Sequence, residues 1–187
     1  MRIVAGDFGG RRLKAVPGMA TRPTTDKVKE ALFNIIGPYF DGGRSLDLFA
    51  GSGGLSIEAV SRGVAQAVLI DKQYAAIKTI KDNVAVTKAP ERFEILKRDA
   101  NRALKELAGR GDQFDLVFFD PPYALQKIAD QMATLRELNL LAPGARIICE
   151  TDQQAQLPDD LPGFDFIERR DYGITELTIY ALGSDAQ

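Results

Sequence analysis

The sequence predicts an α/β protein: a mostly parallel sheet ending in an antiparallel C-terminal hairpin, with a small N-terminal β-hairpin and helix as an extension. Three observations predict it. Apolar strand-like runs alternate with segments of helical periodicity from about residue 46 to residue 150. The first run breaks into the glycine cluster Gly51-Ser52-Gly53-Gly54 just ahead of a helical pattern. Asp71 and Asp120 directly follow later apolar runs, at the strand ends where open parallel sheets place their ligands.

In chain order, residues 2–6 and 12–16 are short strand-like pieces joined through Asp7-Phe8-Gly9-Gly10, and they are expected to pair as a hairpin. Pro17-Gly18 ends it, and Ala20-Thr21-Arg22-Pro23-Thr24 reads as a loop. Thr24 or Thr25 can cap a helix from Asp26 to about Ile36, where Val28, Ala31, Leu32, Ile35 and Ile36 recur at helical spacing. Gly37-Pro38 stops that helix. Residues 1–40 thus form the extension, and residues 41–187 the main domain.

In the main domain, Leu46–Ala50 is a buried strand and Leu55–Val60 a helix. A second strand, Ala67–Ile70, precedes a helix carrying Ala76, Ile77, Ile80 and Val84 on one side. Phe93–Leu96 is the third strand, and Asp99 opens a helix to about Leu107. Phe114–Phe119 is the fourth strand, followed by a helix with Ile128, Met132 and Leu135 inward. Ala145–Glu150 is the fifth. Phe164–Asp171 and Thr175–Leu182 flank Tyr172-Gly173-Ile174 as the terminal antiparallel hairpin.

Composition narrows the function classes. The 187 residues are 45% hydrophobic and 27% charged, ordinary for a soluble globular chain with one core. No apolar run is long enough to span a membrane, and the N-terminus lacks a signal-peptide pattern. With no histidine and one cysteine, a metal centre is not expected and histidine-based triads are excluded. The lone Cys149, between apolar neighbours, reads as a buried strand residue in a reducing cytoplasm. The net charge of −2 conceals an asymmetry. Residues 1–30 hold seven basic groups against three acidic ones, a balance of +4, which leaves −6 for the rest. A basic arm on an acidic body suits a polyanion held locally, though a solvated charged segment has the same composition.

The strand, glycine turn and helix start form a small-molecule anchor, because the glycines allow a sharp turn and close approach of a ligand. Asp71 follows Gly51 by 20 residues, the spacing at which a nucleotide-binding βαβ unit offers a carboxylate to ribose hydroxyls. The dinucleotide fingerprint fails at Ser56, and no lysine follows the glycines as a Walker loop requires. The expected ligand is an adenosyl compound without a pyrophosphate. S-adenosylmethionine fits, with its ribose at Asp71 and its methionine end over the glycines.

Asp120-Pro121-Pro122-Tyr123 is the second chemical motif. Two prolines remove two N–H donors, so the backbone there presents carbonyls. An exocyclic amino group on a base is a poor nucleophile because its lone pair is delocalised. Acceptors from Asp120 and the Pro121 carbonyl can take both N–H hydrogens and localise that lone pair for attack on a methyl sulfonium. Tyr123 can stack the base, which must be unpaired or flipped out to enter. The plainer alternative is a rigid proline turn.

These two motifs resemble the amino-methylating class of S-adenosylmethionine-dependent methyltransferases. The run from Arg22-Pro23-Thr24-Thr25-Asp26 to Phe33-Asn34, the segment Asp47–Gly53, and Glu58-Ala59-Val60-Ser61-Arg62-Gly63 are more narrowly similar to the RsmD family. The similarity covers nearly the whole chain. It implies a Rossmann-like class I methyltransferase fold and methylation of a guanine N2 in 16S ribosomal RNA. It further implies that Asp47, Phe49, Ala50, Gly51, Ser52 and Gly53 line the methionine end, that Asp71 holds the ribose, and that Asp99 and Ala100 hold the adenine edge. Asp120, Pro121, Pro122 and Tyr123 would receive the guanine amino group. The basic arm, with Arg2, Arg11, Arg12, Lys14, Arg22 and Thr24, would bind the RNA. Asp99 serves equally well as a helix N-cap. The sequence departs from the family pattern at Asp71, where glutamate is common, and at Gly54, where alanine is.

Three rivals stand beside this reading. A DNA adenine-N6 or cytosine-N4 methyltransferase could use the same chemistry, but the short segments between strands leave no target-reading region. A non-catalytic RNA-binding assembly factor would have no need of Asp120-Pro121-Pro122-Tyr123. A nucleotide-dependent oxidoreductase is disfavoured by Ser56. Naked RNA and a 30S subunit both remain open as substrates, and nothing demands more than a monomer.

Overall fold

A computed structural model describes residues 1–18, 25–122 and 127–183. Tyr123, Arg22 and Thr24 lie outside these described residues. Among these described residues, five α-helices and seven strands follow in chain order: α1 Asp26–Ile36, β1 Arg44–Asp47, α2 Gly54–Ser61, β2 Gln66–Asp71, α3 Tyr74–Thr87, β3 Phe93–Lys97, α4 Ala100–Gly109, β4 Phe114–Phe119, α5 Ile128–Glu137, β5 Leu141–Thr151, β6 Phe164–Asp171 and β7 Glu176–Leu182. The strands form one sheet in the order β3-β2-β1-β4-β5-β7-β6. β1 to β5 are parallel, while β7 runs antiparallel to both β5 and β6. The terminal hairpin therefore docks through its second strand, with β6 at the sheet edge.

Alternation along the strands divides the core. Val117 and Phe119 of β4, with Ile147 and Cys149 of β5, pack against Leu104 and Leu107 of α4 and Met132 and Leu135 of α5. Leu116, Phe118 and Ile148 point the other way, to Leu32 and Phe33 of α1 and Leu55 and Ala59 of α2. On that same side, Ile77, Ile80 and Val84 of α3 meet Ala67 and Leu69 of β2. The period of two places alternate residues on opposite faces, so a strand covered by helices on both sides reads as an unbroken apolar run.

The N-terminal segment differs from expectation. Its two pieces make a single antiparallel bridge, Arg2 to Arg12, rather than a hairpin of regular strands. Ile3 and Leu13 donate backbone bonds to Arg11 and Met1 across it, both at 2.9 Å. Further pairing is lost because neighbouring N–H groups turn to the body: Val4 and Ala5 donate to the Glu58 carboxylate at 2.8 and 3.1 Å, and Lys14 to Asn83 Oδ1 at 2.8 Å. Ile3, Phe8 and Leu13 are buried in the cluster that holds α3 and β2. Thr25 is the cap of α1, accepting from the Val28 N–H at 3.2 Å. Residues of the extension thus share cores with residues beyond 41.

Candidate active site

The strand order reverses between β1 and β4, which is where an open α/β sheet leaves a crevice. A cavity of about 620 Å³ lies there. Its walls include Asp47, Phe49, Ala50, Gly51, Ser52, Asp71, Asp99, Ala100, Asp120, Pro121 and Pro122. Residues spread over 76 positions of sequence meet because parallel strands deliver all their carboxyl ends to one side.

β1 stops at Asp47, three residues earlier than the apolar run predicts. Asp47 Oδ1 accepts from the Phe49 N–H at 3.1 Å, a local turn that ends the regular strand, although the Leu48 and Ala50 N–H groups still donate to the Phe118 and Ile70 carbonyls at 3.4 and 2.8 Å. Gly51 follows with φ +57, and a Cβ there would meet nothing within 4 Å, so a bare backbone faces open cavity. Gly53, at φ +83, does not line the cavity; it stands behind the wall as the N-cap of α2, where a Cβ would come to 3.1 Å from Leu69.

Asp71 Oδ2 accepts from the Gly51 N–H at 3.0 Å, and Oδ1 accepts from the Gln73 N–H at 2.9 Å. This carboxylate ties the glycine loop to the end of β2 and keeps lone pairs for further donors. Asp99 Oδ2 caps α4, accepting from Asn101 and Arg102 at 3.1 and 3.4 Å. The capping role is therefore present, and Asp99 lies on the cavity wall as well.

The electrostatics are set by acids gathered at strand ends. Asp47 is buried, and loss of solvent raises its carboxyl to about 8, helped by Asp71 and Glu150 and opposed by the Phe49 N–H. Asp120 is held well above the ordinary carboxylate range by desolvation first, then by Glu150 and Asp47. Glu150 escaped the sequence reading, although an acid ending the run Ile147-Ile148-Cys149 repeats the pattern of Asp71 and Asp120. Such a site presents oxygen acceptors of high basicity to a donor or a cation.

The arm cations are placed unequally. Arg2, Arg12 and Lys14 are exposed. Arg11 is half-buried, with Nη1 donating to the carbonyls of Val86 and Thr87 at 3.1 Å each while its guanidinium lies over Phe8. Lys29, counted above among the basic groups of the arm, is not on the surface: it is 1% exposed, with Nζ 3.3 Å from Glu58 and donating to the Arg2 carbonyl at 2.6 Å. Burial lowers its pKa, against the pull of Glu58. None of the four exposed or half-buried cations lines the cavity, but Met1, Ala15, Val16 and Lys29 do. Gln131 of α5 was also missed; it is buried, lines the cavity and donates to Asn101 Oδ1 at 3.2 Å. No pattern in the chain marks these residues, since only packing brings them to the wall.

Residues 1–181 match the family described as Conserved hypothetical protein 95. The Bacillus subtilis protein YlbH is 44% identical over 180 residues, 96% of this chain and 98% of its own. The Haemophilus influenzae protein named ribosomal RNA small subunit methyltransferase D is 35% identical over 158 residues, 84% of this chain and 81% of its own. The solved structure of Escherichia coli yhhF superposes with a TM-score of 0.82 at 32% identity, covering 99% of both chains.

Proposed function

The chain belongs to this family, the RsmD family of rRNA methyltransferases, and on that premise we propose that it transfers a methyl group from S-adenosylmethionine to the exocyclic N2 of a guanine in 16S ribosomal RNA. Methylation of rRNA with S-adenosylmethionine is the chemistry of the family. The choice of a base amino group rests on one observation: Asp120, Pro121 and Pro122 share a cavity with the glycine loop and Asp71.

The cavity fits the cofactor in chemistry as well as size. Gly51 leaves its backbone open, Asp71 offers acceptors to ribose hydroxyls, and Asp47 places a buried carboxyl, raised to about 8, near the glycine loop. S-adenosylmethionine supplies the methyl group as a sulfonium, whose positive charge favours the ionised forms of Asp47 and Asp120. Asp120 and the Pro121 carbonyl take the two amino hydrogens of the guanine. As the N–C bond forms and the S–C bond breaks, the amino nitrogen gains positive charge and must release a proton. A carboxylate of raised basicity is suited to accept it. Tyr123 stacks the base, and Arg2, Arg12 and Lys14 hold phosphates. The enzyme acts in the cytoplasm, as a monomer.

The test is tritiated methyl transfer to 16S rRNA, free 30S subunits, DNA and protein, with the product nucleoside identified by mass spectrometry. N2-methylguanosine from rRNA or 30S is the expected product, and methylated DNA alone would favour the first rival. Asp120→Ala should still bind cofactor and rRNA but lose about 10²–10³-fold in single-turnover rate, the scale of one positioned electrostatic partner. A wild-type rate in that variant reduces Asp120-Pro121-Pro122-Tyr123 to a structural turn.

A further inference from the structure

The buried carboxamide of Asn83, on the inner face of α3, is bonded to two segments that the proposed reaction uses separately. Oδ1 accepts from the Lys14 N–H at 2.8 Å, and Nδ2 donates to the Lys14 carbonyl at 3.0 Å. This is the two-bond pairing a strand would offer one residue of its neighbour. Nδ2 also donates to the carbonyl of Ser52, in the glycine loop, at 2.8 Å. Both amide hydrogens are thus spent, and the side chain is 1% exposed. Just beyond the pinned residue, Ala15 and Val16 reach the cavity wall, and Met1 lies 3.8 Å from the Ser52 hydroxyl through its sulfur.

We propose that Asn83 is a positioning residue that fixes the N-terminal arm in register with the glycine loop, so that rRNA and S-adenosylmethionine bind with positive cooperativity. The inference rests on the reading given above, in which the arm holds RNA and the glycine loop holds the cofactor. The physical reason is that one amide makes all three bonds. Its donors are both satisfied only when the Lys14 and Ser52 carbonyls are in place together, and a buried N–H left without an acceptor pays its full desolvation penalty. A ligand that orders either segment therefore lowers the cost of ordering the other. By linkage, the factor by which cofactor tightens RNA binding equals the factor by which RNA tightens cofactor binding.

The experiment measures that factor with S-adenosylhomocysteine, which cannot react, and a 16S rRNA transcript. Each is titrated by calorimetry with and without saturating amounts of the other. The wild-type factor should be about fivefold or more in both directions. Asn83→Asp keeps the size and the acceptor for the Lys14 N–H but loses both donors, and its factor should fall towards one. Asn83→Ala should give the same loss. A residue of merely structural importance would weaken both ligands in parallel and leave the factor unchanged. A wild-type factor in either folded variant overturns the proposal. So does a factor of one in the wild type with rRNA bound, a result that needs no variant. If instead Arg12→Ala with Lys14→Ala leaves the salt dependence of RNA binding untouched, the arm is not the RNA handle, and the functional reading of the arm fails first.

Discussion

Asp47 keeps a proton that an exposed aspartate would lose, because its carboxyl is sealed from solvent beside Asp71 and Glu150. The native value of about 8 lies above the ordinary 3.8, so the unfolded chain releases this proton at lower pH than the folded one. The group's contribution to stability is whole below about pH 4 and is lost as pH rises through about 8. Asp47→Asn keeps an oxygen for the Phe49 N–H and cannot ionise. Its urea midpoint should match wild type near pH 4 and exceed it at pH 8, with the gap opening between; parallel pH curves would refute the shift. At this scale the sequence was legible where a motif or a spacing spoke: Asp71 and Asp120, each ending an apolar run, both stand on the cavity wall. Glu150 carried the same strand-end pattern and was passed over, whereas Gln131 and Lys29 were not legible, because their importance comes from what surrounds them and not from their neighbours in the chain.

Helix α3 presents one side to the core and carries the N-terminal arm along another. Arg11 closes its C-terminal turn, where free carbonyls and the negative end of the helix dipole favour a cation. Arg11→Ala should cost about 1–2 kcal/mol of stability, from two charge-assisted bonds in a half-exposed setting, measured as a shift in denaturant midpoint. Arg12→Ala should leave that midpoint unchanged and instead flatten the salt dependence of RNA binding. Equal effects of the two substitutions would erase the distinction between them. Composition could not make it, since both arginines count alike in a charge sum. Elements with strong apolar periodicity lie close to where the sequence puts them, among them β4 at Phe114–Phe119 and β6 at Phe164–Asp171. Elements whose ends depend on side-chain bonds do not. β1 gives way to the turn that Asp47 makes, and the N-terminal pieces give up their pairing to Glu58 and Asn83.

For the whole molecule, Glu58 joins the extension to the body. Its fully buried carboxylate accepts from the Val4 and Ala5 N–H groups and from Arg62 Nε at 2.7 Å, with Lys29 Nζ at 3.3 Å. Glu58→Gln leaves two buried cations facing a neutral amide and should cost about 3–5 kcal/mol, the usual penalty for breaking a buried pair from one side. Adding Lys29→Met should restore part of the loss, because it removes one uncompensated charge. Additive losses in the double variant would show that Lys29 and Glu58 do not act as a pair. The sequence displayed the fold class and the sheet's carboxyl-end site at this scale, since alternating runs and strand-end acids are local signals. It did not display which cations of residues 1–30 turn inward, or that β7 and not β6 would seat beside β5. Both are decided by contacts between segments far apart in the chain.

The single cysteine gives the molecule a built-in gauge of its own opening. Cys149 sits in β5 with parallel β4 on one side and β7 on the other, fully buried, its thiol held above the ordinary range by burial. An alkylating reagent needs a thiolate it can touch, and no local fraying of a loop or terminus exposes the middle of this sheet. Labelling of the native protein must therefore wait for the sheet itself to come apart. Its rate counts global openings one chain at a time, and a shift in that rate when a ligand is added reads the ligand's hold on the folded state without any assay of turnover.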